Sequence, residues 1–405
     1  MMNILLLTYY FSPDLSAGSF RNTPLAYELA RQLGDSGTVH VVTTQPNRYQ
    51  SFKIEAAAEE QHDNLRISRI TVPAHTSGFA DQIRSYVCFY SQALTLTRDN
   101  PYDVIVASSS RLFSAFLGAQ VARRRQVPLV LDIRDLFRVN ILELIKNPVA
   151  RLVLSPTLRA VEQYTFGYAK HINLVSDGFS DYFADYDQAT YSHVTNGIDD
   201  YFLDLPGSPA STESPQQRTI LYAGNIGDGQ GLEKIIPATA RLLGPTYQFV
   251  VVGDGATKSK LDKAVTDAGL NNVTIRPPVT RAGLLAEYER ADYLFLHLND
   301  LTAFERCLPS KLFEYAATDK PVVAGVAGYA AKFINKHVPN SFVFAPGDAA
   351  ALATYLLTTP YETTTRTAFI NQFRRETLVA KLARQILKAA GPVRKPAPLS
   401  AIESY

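Results

Sequence analysis

Short apolar runs alternate along the chain with turn-rich loops and with longer stretches whose apolar residues fall at helical spacing. The first run, NILLLTYYF, leads into the loop SPDLSAGS. RNTPLAYELARQLGD follows, with apolar positions at helical period and a Gly-Asp stop. In the first half, TVHVVTT, LRISRI, DVIVAS, PLVLDI and HINLVS each predict a buried strand, with helical candidates between most of them. Strands and helices in alternation predict a parallel sheet covered by helices on both faces. PGSPASTESPQQR, from Pro206 to Arg218, is rich in Pro, Ser and Gln and reads as a linker. After it the pattern restarts with RTILYAG, YQFVVVG, NVTIRP, DYLFLHL, KPVVAG and SFVFAPG. The pattern therefore predicts an α/β protein of two doubly wound halves with a cleft between them. There is no short-period repeat, and the ending GPVRKPAPLSAIESY reads as a frayed tail.

Composition narrows the class. A length of 405 residues suits two domains better than one core. Apolar residues at 46% and charged residues at 19% fit a globular chain rather than a disordered one. Forty basic against 38 acidic residues leave a net charge of +2, which argues against a dedicated nucleic-acid binder. Cys88 and Cys307 make neither a disulfide framework nor a zinc site. The start MMNILLLTYYFSPD lacks a basic n-region and a small-residue cleavage site, so it does not read as a signal peptide. No apolar run reaches the roughly 18 residues a membrane span needs. The expectation is a soluble, cytoplasmic protein.

Ligands of open α/β sheets bind beyond the carboxyl ends of strands, and three such ends in the second half carry glycines and polar residues. LYAGNIGDGQGLEKII places Gly224, Gly227, Gly229 and Gly231 between a strand and a helix, where backbone can approach a phosphate. The spacing does not fit the dinucleotide fingerprint, and a plain flexible loop is the alternative reading. VVVGDGATKSKL gives a Gly253-Asp254-Gly255 turn, of a kind more often structural than functional. In LPSKLFEYAATDKPVVAG, Pro309 and Ser310 read as a helix start with Ser310 as N-cap. Lys311 adds a cation there, and Glu314, four residues after Ser310, shares its face. A diphosphate at the helix start would bring a ribose to the Glu314 carboxylate, which can accept from two vicinal hydroxyls. The alternative is a capped surface helix with Glu314 solvated.

Taken in order, these landmarks resemble the nucleotide-sugar-binding half of glycosyltransferase family 4, whose members have the GT-B fold. The Gly224–Gly231 loop, the Gly253 turn, Ala291-Asp292, Pro309-Ser310-Lys311-Leu312, Glu314-Tyr315, Pro321-Val322-Val323, the Gly328 loop and PGDAAALATYLL follow in the family's sequence. In the first half, SPDLSAGSFR with Gly18 resembles the family's N-terminal glycine loop, SDGF at Ser176 a strand end, and TNGID at Thr195 the element before the linker. GNIG…QGL, DIRDL and PSKLFEY are most similar to a subgroup acting in bacterial surface-polysaccharide assembly.

The resemblance implies two Rossmann-like domains, residues 1–205 on the acceptor side and 219–375 on the nucleotide-sugar side. It joins them by a linker at 206–218 and by a C-terminal helix, about 376–405, that returns to the first domain. It implies an enzyme that needs no cofactor or metal and retains the anomeric configuration. The enzyme would move an N-acetylated hexosamine or deoxyhexosamine from a UDP-sugar to a lipid-linked saccharide of an O-antigen, capsule or exopolysaccharide. The donor would be held by Gly18, Gly224, Asn225, Gly227, Gln230, Gly253, Asp254, Gly255, Ser310, Lys311, Leu312 and Glu314, and the leaving diphosphate by the helix start at Ser310–Leu312.

Four positions depart from the family pattern. Many members carry two glutamates with seven residues between them; Glu314 matches the second, and Arg306 occupies the place of the first. Asn225 and Gln230 stand where an Arg and a Lys usually bind the diphosphate. Arg134 stands where a His usually enters the cleft, between Asp132 and Asp135. Asp132, Arg134, Asp135 and Arg306 are therefore the candidates for the chemistry. For the three at the strand end, the alternative is an internal salt-bridge network. Asp185-Tyr186-Asp187 spells a metal motif of another glycosyltransferase fold but reads as a solvated loop. Residues 121–170 carry nine basic and four acidic residues among many apolar ones, the composition of a membrane-surface patch or of an ordinary helix with a basic side. Two rival readings remain: a catalytically idle homologue that scaffolds an assembly complex, and another GT-B enzyme such as a sugar-nucleotide epimerase.

Overall fold

The computed structural model describes residues 1–47, 54–73, 79–109, 112–145, 147–203 and 217–391. Most of the linker stretch at 206–218 and the tail beyond Gly391 lie outside the described residues.

Eight strands form the first sheet: β1 (Met2–Leu7), β2 (Gly37–Thr44), β3 (Glu59–His62), β4 (Leu65–Ile70), β5 (Val104–Ser109), β6 (Leu129–Ile133), β7 (His171–Leu174) and β8 (Thr190–Ser192). Their spatial order is β3-β4-β2-β1-β5-β6-β7-β8. All pairs are parallel except β3 with β4. The second sheet holds β9 (Arg218–Asn225), β10 (Tyr247–Asp254), β11 (Val273–Arg276), β12 (Tyr293–His297), β13 (Val322–Gly325) and β14 (Ser341–Phe344), all parallel, in the order β11-β10-β9-β12-β13-β14. The central strands β1, β5, β6 and β12 are wholly or almost wholly buried, which is why they read as unbroken apolar runs. Each sheet separates two apolar clusters, one on either face.

Local sequence departs from expectation at three places. The helix after β1 starts at Ala17, inside the turn-rich loop, because Ser16 caps it by accepting from the Ser19 N–H at 3.1 Å. Gly18 thus lies in a helical first turn that faces the cleft. The C-terminal helical stretch is two helices, Thr367–Phe373 and Arg375–Ala390, broken where Arg374 pairs with Ile198. The second of these buries Val379, Leu382, Ala383 and Ile386 against the core of the first sheet. Finally, β3 and β8 are short edge strands that no apolar run announces.

The two sheet units meet through specific contacts. Ser176 donates to the Arg306 carbonyl at 2.5 Å, and the Glu143 carboxylate accepts from the Ala303 N–H at 3.1 Å. Where the chain crosses, the Ile198 N–H bonds the Phe373 carbonyl and the Arg375 N–H bonds the Ile198 carbonyl, each at 2.7 Å.

Candidate functional site

A cavity of about 410 Å³ lies between the sheets at their carboxyl ends. Its size suits a small-molecule site. The first unit supplies Tyr10, residues 15–18, Phe20, Arg134 and Asp135. The second supplies residues 223–225, Val252, Gly253, residues 278–281, Leu284, Ser310, Lys311 and Glu314. Phe202 and Arg375 come from the two crossing segments.

The second unit's side is built on close backbone approach. Gly224, the next-to-last residue of β9, has φ of 146°, and an added Cβ would fall 1.6 Å from the Lys311 ammonium. The absence of a side chain therefore seats the ammonium over the strand end. Lys311 opens the helix Lys311–Ala317, which Tyr315 ties to β9: its hydroxyl accepts from the Ala223 N–H at 3.1 Å. Glu314, half-buried on the same helix, accepts from the Tyr288 hydroxyl at 2.9 Å. Burial raises its pKa, and Lys311 and that hydrogen bond oppose the rise.

Arg281 and Arg375 share one carboxylate. Asp199 accepts from Arg281 and, at 2.8 Å, from Arg375. Burial pushes the Asp199 pKa up, but the two guanidinium groups outweigh it and hold the carboxyl below its usual range. Arg281 also lies 5.3 Å from the centre of the Phe20 ring and 5.0 Å from that of Tyr201.

On the first unit's side, Arg134 and Asp135 directly follow β6. Arg134 reaches Gly18, where an added Cβ would meet its Nη1 at 2.9 Å. Burial raises the Asp135 pKa to about 6, against the pull of Arg134.

Of the residues singled out from sequence, the structure brings Gly18, Arg134, Asp135, Gly224, Asn225, Gly253, Ser310, Lys311 and Glu314 to this cavity. Others it places elsewhere. Asp132 is buried behind the strand end, where Arg21 pairs with both its oxygens at 2.6 and 2.8 Å and Asn173 donates at 2.8 Å. It belongs to an internal network, so its assignment to the chemistry is corrected. Gln230 braces the glycine-rich loop from behind, accepting from Asn225 at 2.9 Å and from the Gly227 N–H at 3.2 Å. Gly227, Asp254 and Gly255 belong to the same bracing layer and do not line the cavity. Leu312 is fully buried in the core. Arg306 meets the first unit through its carbonyl and does not line the cavity. Ser310 lines the cavity, but its backbone is already helical and its hydroxyl makes no capping bond, so the expected N-cap is absent.

Sequence reasoning missed Arg281, Arg375 and Phe202. Arg281 carried a signal, since Thr280 caps the helix Arg281–Arg290 directly after β11 by accepting from the Gly283 N–H. Nothing local marks Arg375 or Phe202. Asp185 and Asp187 are exposed, and among the described residues no three His, Cys, Asp or Glu side chains group as a metal site. No described helix is long and apolar enough to cross a membrane.

Two family models match the chain: a glycosyl transferase 4-like domain over 23–194 and glycosyl transferases group 1 over 208–375. The putative colanic acid biosynthesis glycosyl transferase WcaI of Escherichia coli K12 is 33% identical over 144 residues, 35% of this chain and 33% of WcaI. The match thus spans about a third of that relative's length. Several solved structures share the fold. Sucrose-phosphate synthase from Thermosynechococcus elongatus has a TM-score of 0.69 at 17% identity, over 96% of this chain and all of that one. Anabaena HepE in complex with UDP and glucose reaches 0.66 at 19% identity, with 96% and 100% covered. WaaG, a glycosyltransferase involved in lipopolysaccharide biosynthesis, reaches 0.63 at 17%, with 95% and 99% covered.

Proposed function

Because the chain belongs to the family 4 glycosyltransferases, of the GT-B fold, we propose that its cavity binds a UDP-sugar and transfers the sugar to a lipid-linked saccharide in polysaccharide biosynthesis. The observation that carries this reading is the meeting, in one cavity, of Lys311 over Gly224, the Glu314 carboxylate, and Arg134 with Asp135 from the opposite unit. Lys311 offsets the diphosphate charge, and Glu314 accepts from the ribose hydroxyls. The polysaccharide role draws on the names of WcaI and WaaG, and the nucleotide on the HepE complex. The sugar class, an N-acetylated hexosamine or deoxyhexosamine, follows the resemblance of the motifs.

The proposed transfer retains configuration and uses no metal. Departure of the diphosphate leaves positive charge on the sugar ring, and the cavity's cations stabilise the negative charge gained by the leaving group. The acceptor hydroxyl attacks from the face the diphosphate leaves, and a phosphate oxygen takes its proton. The acceptor-side unit (1–205 with the C-terminal helix) and the donor-side unit (219–375) align the reactants and exclude water on closure.

A lipid-linked acceptor calls for work at the inner face of the cytoplasmic membrane. The helix Pro148–Phe166, within 121–170, supports this. Val149, Leu152 and Val153 are 69%, 76% and 65% exposed, beside the exposed Arg151 and Arg159. Apolar side chains among basic ones fit an anionic lipid surface.

The test is thermal stability with UDP, GDP, dTDP and no ligand, on the wild type and on Glu314→Ala. Ligand at a hundred times its dissociation constant adds about 2.7 kcal/mol. A UDP-selective shift that the substitution abolishes is expected. A shift with another nucleotide overturns the donor, and no shift with any favours an idle scaffold.

A further inference from the structure

Among the described residues, the Arg134 guanidinium in the cavity has no salt-bridge partner, and Asp135 and Asp132 act on it only through space. Arg281 and Arg375 share Asp199, and Arg21 is held by Asp132. The Nε of Arg134 is sealed from solvent and has no hydrogen-bond partner among the described residues. Asp135 follows it in sequence and attracts it without a direct salt bridge, and burial raises the Asp135 pKa to about 6, which weakens that attraction at lower pH. The group is nevertheless held in place. The backbone N–H of Arg134 bonds the Ser109 carbonyl at 3.1 Å, which anchors the base of the side chain, and its Nη1 lies where a Cβ of Gly18 would otherwise point. A half-buried guanidinium on the cavity wall whose sealed Nε has no acceptor gains from one, so a ligand oxygen of negative charge is the natural partner. Lys311 faces the same cavity from the opposite unit. Asn225, also on that side, is neutral, and Gln230 is turned away into the loop.

We propose that Arg134 pairs with the diphosphate of the nucleotide-sugar across the cleft from Lys311, so that the diphosphate is gripped by both units at once. This rests on the reading of the cavity as a UDP-sugar site. Planar, two-pronged donation suits phosphate oxygens, and a grip split between units couples donor binding to their closure. Uridine, which lacks the diphosphate, does not engage Arg134.

The experiment is titration calorimetry with UDP, UMP and uridine on the wild type, Arg134→Gln, Arg134→Lys and Gly18→Ala, with KM measured for donor and acceptor. Loss of a charged hydrogen bond corresponds to about a ten- to hundredfold fall in affinity. Arg134→Gln is expected to lose UDP affinity by that factor and to keep uridine affinity, with Arg134→Lys partly restoring UDP. Gly18→Ala leaves the guanidinium intact but pushes it aside, and gives the same selective loss should Arg134→Gln fail to fold. UDP affinity equal to wild type in Arg134→Gln and Gly18→Ala overturns this inference alone. A rise confined to the acceptor KM overturns it too, and assigns the guanidinium to a phosphate on the acceptor. Failure of the wild type to bind UDP overturns the donor reading as well.

Discussion

Removing the Asp199 carboxylate tests whether one side chain holds the floor of the cavity together. It accepts from Arg281, from Arg375 at 2.8 Å and from the Tyr201 N–H at 3.1 Å. The three side chains differ in exposure: Arg375 12%, Asp199 21% and Arg281 37%. Breaking a buried pair from one side costs about 3–5 kcal/mol, whereas an exposed pair contributes roughly 0–1 kcal/mol. The Arg375 half lies near the first limit and the Arg281 half near the second. Arg375 keeps one bond, to the Gly197 carbonyl at 3.1 Å, which softens the loss. Asp199→Ala should therefore destabilise the protein by about 2–4 kcal/mol. Asp199→Asn, which retains an acceptor for Tyr201, should cost less. The assay is urea unfolding followed by far-ultraviolet circular dichroism and tyrosine emission, since the chain has 22 Tyr and no Trp. An acid arm adds a signed check. The Asp199 pKa is lowered in the fold, so its stabilisation is present above the ordinary carboxylate pKa and lost as pH falls through the lowered value. Asp199→Ala should lack that part of the acid slope. A cost under about 0.5 kcal/mol with an unchanged acid slope would place the two arginines in the exposed-pair regime and refute the reasoning.

Four further outcomes are expected. Asp135 titrates near pH 6, so if its ionised form meets the substrate, kcat/KM should fall about tenfold from its plateau at pH 5, and Asp135→Asn should abolish that limb. The same raised pKa makes the fold bind this proton more tightly than the unfolded chain does. Stability is therefore lost as pH rises from the ordinary carboxylate value through about 6, a slope Asp135→Asn should remove. Gly224→Ala would put a methyl 1.6 Å from the Lys311 ammonium, and should weaken UDP more than uridine by calorimetry. Leu152→Asp with Val153→Asp should abolish pelleting with phosphatidylglycerol vesicles while leaving transfer to a soluble acceptor analogue intact, and salt should weaken wild-type pelleting.

The buried strands were legible because a parallel strand covered on both faces must be apolar throughout, as in the LVLDI of β6. The edge strands were not. EEQH in β3 lies mostly exposed and TYS in β8 is three residues long, so neither carries an apolar signal. The site divided in the same way. Gly224, Lys311 and Glu314 sit at strand ends and helix starts, whose chemistry is local. Asp132 could not be settled between the chemistry and an internal salt bridge because its partner, Arg21, lies 111 residues away, and only the assembled sheet shows that the charge is already met. Arg375 escaped notice for the converse reason. Its sequence context is a helix start, and its position in the cavity is set by the pairing of Arg374 with Ile198.

The crossing segments explain how one cavity can be shared by two units and still be ordered. Residues 197–202 and 373–375 run side by side, joined by two backbone bonds of 2.7 Å, and carry Asp199, Phe202 and Arg375. The cavity floor is thus built from the chain that connects the units, and a rotation about the crossing leaves those contacts in place. The same rotation changes the separation of Arg134 and Lys311, which belong to different sheets. Opposing it are the contacts between the units, among them Ser176 to the Arg306 carbonyl, Glu143 to the Ala303 N–H, Arg281 over the Phe20 ring, and Cys307 packed against the core of the first sheet. Hydrogen bonds of this kind contribute about 0.5–3 kcal/mol each, comparable with what a bound ligand supplies. The floor is fixed by covalent connection and the walls by non-covalent contacts alone, so a ligand charge that bridges the walls adds directly to what holds the cleft closed.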